Sequence, residues 1–319
     1  MVKSQGKIDS LKSNIPILMQ DDSMAVAGSK IMHKDFLQLL EHQSGILSDA
    51  TPLDIHQMRV ASRRMRSMFV LLDTYYKSKR IAPFVRHLKK LASHLGKVRD
   101  LDVMIENLRI YEAEQTEDNI AKIIELLAKR RAKDQKRLAK FLQEPAHTEF
   151  VDDFSKLLSK PNKVAANIKP HPVKPYQLRH ALPAIIAEPL ALVRAYEMVI
   201  DEAETKTLHQ LRIEFKHLRY LISGFADILG SSAEDFINDL KVIQDYMGEL
   251  NDLTVAQAYL ADLLDNKKYS KDVRTALQEY LTKCAEREQE YVTNFREIWD
   301  KFNTRTVQRR LSDALLVLR

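Results

Sequence analysis

The sequence predicts an all-α protein built from two antiparallel four-helix units, and three observations carry that prediction. Glycine is scarce, seven in 319 residues, whereas Leu, Ala, Lys, Glu and Arg are abundant, which favours long helices. Apolar residues interleave with a charged row at helical spacing, as Met58, Val60, Ala61, Met65, Met68 and Phe69 do around residues 56–69. The chain also repeats itself at an offset close to half its length.

The first unit spans 24–143, with helices expected near 24–47, 53–77, 81–108 and 118–143. Pro52 follows Thr51 and Pro83 heads the next segment, both as first-turn prolines that open a helix. Residues 144–176 contain Pro145, Pro161, Pro170, Pro172 and Pro175. That density rules out a continuous helix and predicts a linker with a short helix at 148–159. The second unit, 177–319, reads as helices near 177–200, 204–229, 233–264 and 271–302, with a terminal helix near 306–318. Residues 1–23 read as a loosely structured, flexible segment.

The repeat is specific. His56-Gln-Met-Arg59-Val-Ala-Ser-Arg63-Arg64-Met-Arg66 recurs as His209-Gln-Leu-Arg212-Ile-Glu-Phe-Lys216-His-Leu-Arg219, 153 residues on. His, Arg, Arg/Lys and Arg fall at steps of 0, 3, 7 and 10, one helix face rising about 15 Å. Leu95-Gly96-Lys97-Val98-Arg99-Asp100-Leu101-Asp102-Val103 recurs as Met247-Gly248-Glu249-Leu250-Asn251-Asp252-Leu253-Thr254-Val255, and Lys89 aligns with Lys241. Two motifs in one order at nearly one offset imply two equivalent units. A helical glycine costs roughly 1 kcal/mol relative to alanine, so Gly96 and Gly248 suggest a close approach by a neighbouring helix or a ligand.

Charge points to an anion. Between Ile55 and Arg99 twelve Lys and Arg stand against one acid, Asp73, a net of +11 in a chain whose total is +6. The other 274 residues therefore sum to −5, and the positive charge is localised. Solvated helix faces mix signs for i,i+4 pairing, yet residues 55–72 hold four arginines and no acid. Such a row is unfavourable until an anion neutralises it, and guanidinium forks suit phosphate. The single cysteine, Cys284, fits a reducing compartment. With no signal-like N-terminus and no 18-residue apolar run, the expectation is a cytoplasmic protein with no membrane partner.

These paired motifs resemble the conserved-histidine α-helical domain, CHAD. Its mark is a duplicated His-x-x-Arg with basic residues continuing down the helix, then Leu-Gly-x-x-Arg/Asn-Asp-Leu-x-Val on the next. The resemblance covers roughly residues 24–302; Met247 in place of leucine conserves volume. It implies two pseudo-symmetric four-helix bundles around a basic central pore that binds inorganic polyphosphate, without known catalysis. Carried onto this chain, the binding residues are His56, Arg59, Arg63, Arg66 and Lys89 in the first half. In the second they are His209, Arg212, Lys216, Arg219 and Lys241. Relatives are often fused to a triphosphate tunnel domain, for which this chain has no room. A stand-alone polyphosphate binder, in the cytoplasm or on polyphosphate granules, is the expectation.

Further basic residues are secondary candidates: Arg64, Arg86, Lys90, Lys97, Arg99 and Arg137. The row His87, Lys90, His94, Lys97 has no counterpart in the second half and equally suits an outer surface. Among Arg130, Arg131, Lys133, Lys136 and Arg137, Asp134 and a mixed register also suit a solvated face. Asp100 and Asp252 read as structural ion-pair partners that orient Arg59 or Arg212; Asp102 faces only Thr254 in the repeat. No metal or cofactor is expected, since His56 on the first motif helix and His209 and His217 on the second, with no HExxH or CxxC, are too few for a metal site. Glu202-Ala-Glu204-Thr-Lys206 mimics the ExExK of triphosphate tunnel enzymes, but that pattern needs a strand and here leads into a helix. The same basic rows also suit the phosphate backbone of a nucleic acid, although stacking aromatics and a recognised DNA-binding motif are lacking.

Overall fold

Capping signals decide where the helices begin in the computed structural model, which describes residues 2–113, 120–167, 172–264 and 269–318. Every regular element among them is helical, apart from two isolated bridges, Ser23–Gln177 and Tyr76–Ala165. After α1 (Val2–Ser13), Ser23 caps α2 (Met24–Ser48), its hydroxyl accepting from the Val26 amide at 3.4 Å. Thr51 caps α3 (Pro52–Leu71), accepting from the Asp54 amide at 3.2 Å, with Pro52 in the first turn as expected.

The long α4 (Ser78–Ala113) starts earlier than predicted, so Pro83 lies inside it and does not open it. The intrahelical bond lost there belongs to the carbonyl of Lys79, near the exposed start of the helix. Then come α5 (Ala121–Gln143), α6 (Pro145–Ser159), α7 (Leu178–Ala195) and α8 (Thr205–Gly224). The single-turn α9 (Ala226–Leu229), α10 (Ser231–Leu264), α11 (Lys271–Phe302) and α12 (Arg305–Leu316) complete the chain. Gly230, at φ +76°, makes the reversal into α10. The predicted start of the fourth helix, 118–119, and Pro170 of the proline-rich stretch lie outside the described residues.

Two expectations change. Residues 1–23, read as loosely structured, begin with α1, which packs on α2. Ile8 is 5% exposed there, and Lys12 pairs with Glu41 at 2.8 Å. These contacts are tertiary, which explains why a weakly amphipathic segment gave no local signal. Residues 144–176 are more than a connector. Phe154 of α6 is fully buried and packs on Phe36 and Phe84, with ring centroids 4.8 and 5.5 Å apart. Proline at the first position of α6 opens that helix and does not prevent it.

In the first half α2 packs on α3, α3 on α4 and α4 on α5; in the second α7 packs on α8, α8 on α10 and α10 on α11. The halves meet where α3 touches α8 and α4 touches α10. One apolar cluster runs through α2–α4, α6–α8 and the first half of α10. A smaller one joins the far ends of the α4–α5 and α10–α11 pairs, including Leu108, Leu127, Leu260 and Leu277. Along α4 the first cluster ends at Val98 and the second begins at Leu101; along α10 they divide between Leu250 and Leu253. A polar band at that level is where the site forms.

Gly96 does not serve the close approach inferred for it: a Cβ there would meet nothing within 4 Å. At Gly248 a Cβ would lie 3.5 Å from the Arg212 guanidinium, an ordinary contact. Gly96→Ala is therefore expected to raise unfolding free energy by about 0.5–1 kcal/mol. Urea denaturation checks this; a lower midpoint would show a constraint at Gly96 that the packing does not contain.

Candidate functional site

The four helices at the junction of the halves, α3, α4, α8 and α10, enclose a cavity of about 830 Å³. From α3 come His56, Arg59, Arg63 and Arg64; from α8 come Arg212, Lys216 and Arg219; α4 adds Arg99. Seven Lys and Arg thus line one space with four carboxylates, Asp100, Asp245, Glu249 and Asp252. The two motif rows, far apart in sequence, share this cavity because α3 packs on α8.

The other candidates fall elsewhere. Arg66 is half-buried and does not line the cavity. At 100° per residue it sits about 80° from His56, just past the edge of the lining arc. His209 is exposed near the start of α8, beyond the end of the cavity, although His56 lines it. Lys89, Lys97 and Lys241 are exposed and absent from the lining. Arg86 and Lys90 line a separate groove. Arg137 is exposed and donates to Asp134 at 2.8 Å, a surface pair on its own helix.

Burial among like charges sets the electrostatics. Burial and the neighbouring Arg59, Arg212 and Arg219 bring Arg63 down to about 10, and its Nε is buried with no hydrogen-bond partner. Its guanidinium carbon lies 5.3 Å from the ring centre of Tyr220, and that of Arg219 lies 5.2 Å from the same ring. One aromatic side chain, 4% exposed, therefore contacts cations from both halves. Burial, then Arg212, Arg63 and Arg59, bring Lys216 down to about 7. Burial followed by Arg99, Arg63 and Arg59 lowers His56 as well.

Polar partners hold the rows in place. Asp100 pairs with Arg59 at 3.7 Å, while burial pushes the Asp100 carboxyl upward. Arg212 Nε donates to the Met247 carbonyl at 3.0 Å, and Asp252 acts on Arg212 through its charge. Arg219 Nε donates to Gln244 Oε1 at 2.5 Å. Arg64 pairs with Asp35 at 3.6 Å, and burial lifts that carboxyl to about 7. Sequence reasoning missed Tyr220, Gln244 and Asp35. None belongs to a repeated position, and only tertiary packing brings them to the arginines.

Asp102 and Arg131 have a structural role. Arg131 Nε pairs with buried Asp102, and its other nitrogens donate to Gln135 Oε1 at 2.6 Å and the Ala50 carbonyl at 3.1 Å. This ties α5 to the turn between α2 and α3, where Ala50 has φ +52°. The ExExK-like segment forms no strand: a 3₁₀ turn ends at Glu202 and α8 begins at Thr205. Among the described residues no cluster of His, Cys, Asp and Glu is suited to a metal ion, and no helix is long and apolar enough to cross a membrane.

The family model for the CHAD domain matches residues 30–261, a span that contains every residue lining the cavity. Among solved structures, the CHAD domain from the plant Ricinus communis superposes with a TM-score of 0.76 at 18% identity, over 92% of this chain and 96% of that one. PptA from Streptomyces chartreusis superposes with a TM-score of 0.64 at 12% identity, over 87% and 99%. At such identities the likeness is one of fold. No curated protein matches the chain.

The depressed Lys216 has a consequence for stability. Its folded value, about 7, lies below the ordinary 10.5, so between those values the unfolded chain binds the extra proton and stability rises with pH. Lys216→Met removes a penalty that is complete below pH 7 and fades toward pH 10.5. The variant is expected to be more stable than wild type at pH 7, with the gain falling by about 1.4 kcal/mol per pH unit above that and vanishing near pH 10.5. Denaturant titrations across that range check it; a pH-independent difference would contradict the assignment.

Proposed function

The chain belongs to the CHAD domain family, and from that premise we propose that it binds inorganic polyphosphate in the cavity between its halves, without turning it over. One observation carries the reading: seven cations from both halves line a single cavity, against four carboxylates. The space is large enough for several phosphate groups in file and has excess positive charge along its walls. Burial and, after it, repulsion from neighbouring cations lower Arg63, Lys216 and His56; a bound polyanion would relieve that repulsion, so binding energy comes from charge already gathered by folding. Released counterions and water add to it.

The lining also bears on the nucleic-acid reading. No Phe, Tyr or Trp lines the cavity among the described residues. Tyr220, nearby, is buried and engaged by Arg63 and Arg219. Bases therefore find no stacking platform, whereas a bare phosphate chain needs none.

Two outcomes follow. Charge reversal at Arg59 and Arg63 together is expected to weaken long-chain polyphosphate binding about a hundredfold or more, and reversal at Arg212 and Lys216 to do the same. Titration calorimetry at one salt concentration, with circular dichroism as a fold control, reads this. Wild-type affinity after either reversal would assign the site to one half alone, and equal wild-type affinity for duplex DNA would favour the nucleic-acid reading.

The second outcome concerns protons. Lys216 near 7 is mostly neutral at pH 8 in the free protein, and an adjacent polyanion favours its charged form. Binding at pH 8 should take up close to one proton, and affinity should weaken as pH rises above 7, by up to about tenfold per unit. Calorimetry in buffers of different ionisation enthalpy measures the uptake. An uptake near zero at pH 8, or one unchanged in Lys216→Met, would place the phosphates away from Lys216.

A further inference from the structure

A second basic groove, of about 930 Å³, lies between α4 and α6 and shares no lining residue with the central cavity. Its α4 wall carries Lys79, Arg80, Arg86 and Lys90; the opposite wall carries Lys156, Lys160 and Lys163. Two acids, Glu149 and Asp153, also line it, and Asp153 pairs with Lys156 at 2.7 Å. The other six cations have no ion-pair partner among the described residues. Seven cations against two carboxylates leave a strong positive rim.

The floor differs in kind from the central cavity. Pro83, exposed, and Phe84, half-buried, form its accessible part, with the buried Phe150, Leu157 and Val164 beneath them. His87 lies flat on Phe150, centroids 4.2 Å apart and planes 13° apart, and is bonded to His147 at 2.9 Å. His147 Nε2 is bonded in turn to Gln43 Oε1 at 3.0 Å. With the Gln43 oxygen accepting, His147 Nδ1 is the acceptor for a proton on His87 Nε2. Burial depresses both imidazoles, His87 to about 4 and His147 to about 3, so this pair adds a neutral, rigid surface and no charge.

Shape selects among anions. Along α4 the lining runs Lys79, Pro83, Arg86/His87, Lys90, and along α6 it runs Ala146, Glu149/Phe150, Asp153, Lys156/Leu157. Each wall therefore extends eleven steps, about 16 Å or three helical turns. A bare phosphate chain gains nothing from an apolar floor and loses hydration over it. A second copy of this chain, at net +6, is poorly matched in charge. A helix with an apolar stripe and acidic flanks matches floor, rim and length together.

We infer that the groove between α4 and α6 docks an acidic amphipathic helix of a partner protein, three turns long, with its apolar stripe over Pro83 and Phe84. The protein then presents two separate sites, one for an inorganic polyanion and one for a polypeptide. This inference does not depend on what fills the central cavity.

The test uses the full chain and two fluorescein-labelled peptides about four turns long, of identical Leu, Ala and Glu composition. In one, leucines form a single helical stripe; in the other the order is scrambled. Anisotropy titration is expected to show the striped peptide binding at least tenfold tighter. Lys160→Glu with Lys163→Glu, both exposed positions, should remove most of that affinity while leaving polyphosphate binding unchanged. Saturating polyphosphate should leave the striped peptide bound. Equal affinity for both peptides, binding of neither, indifference to the double reversal, or displacement by polyphosphate would each overturn the inference; displacement would make the groove a second anion track.

Discussion

Repulsion among cations gathered at the contact of α3 with α8 is the constraint on which the rest of this structure turns. Seven Lys and Arg share a cavity with four carboxylates, and the consequence is visible at Arg63 and Lys216, both lowered by burial and then by neighbouring arginines, Arg59 and Arg212 among them. The like charges in that cluster oppose folding. Its position is set by apolar packing on either side, the large cluster below it and the smaller one joining the far ends of the two long helix pairs. Hydrogen bonds from Arg212 to Met247 and from Arg219 to Gln244 then fix the guanidinium groups. The site is costly to the free protein, and a polyanion would relieve it.

The division of α4 follows from the same logic. Its first half faces α6 and supplies one wall of a groove with an apolar floor. Its second half, from Arg99, faces α3, α8 and α10 and supplies Arg99 and Asp100 to the central cavity. Of the twelve cations in the +11 stretch counted along the sequence, four line the central cavity and four line the groove, two patches of different chemistry, one enclosed and polar, the other open and amphipathic.

What was legible in the sequence was whatever repeats or caps. The paired His-x-x-Arg rows and the Gly-containing motif marked α3, α4, α8 and α10, the four helices that line the site, and Thr51 with Pro52 marked the start of α3. What was not legible depends on contacts between segments. The helix at residues 2–13 forms against α2, and α6 holds its place through Phe154 packing on Phe36, neither of which leaves a local signature. Periodicity placed Arg66 and His209 in the rows but could not say how long the cavity is or how wide its arc. Tyr220, Gln244 and Asp35 reach the arginines through folding alone. Gly96 shows the opposite failure: an unusual residue in a helix invited a structural reason that the packing there does not supply.

Whether the cavity between α3 and α8 holds the polyanion is read from an experimental structure of the protein bound to long-chain polyphosphate. A file of phosphates between α3 and α8 is expected, contacting Arg59 and Arg63 on one side and Arg212 and Lys216 on the other. Phosphates confined to the outer surface, with the central cavity filled only by solvent, would contradict that placement.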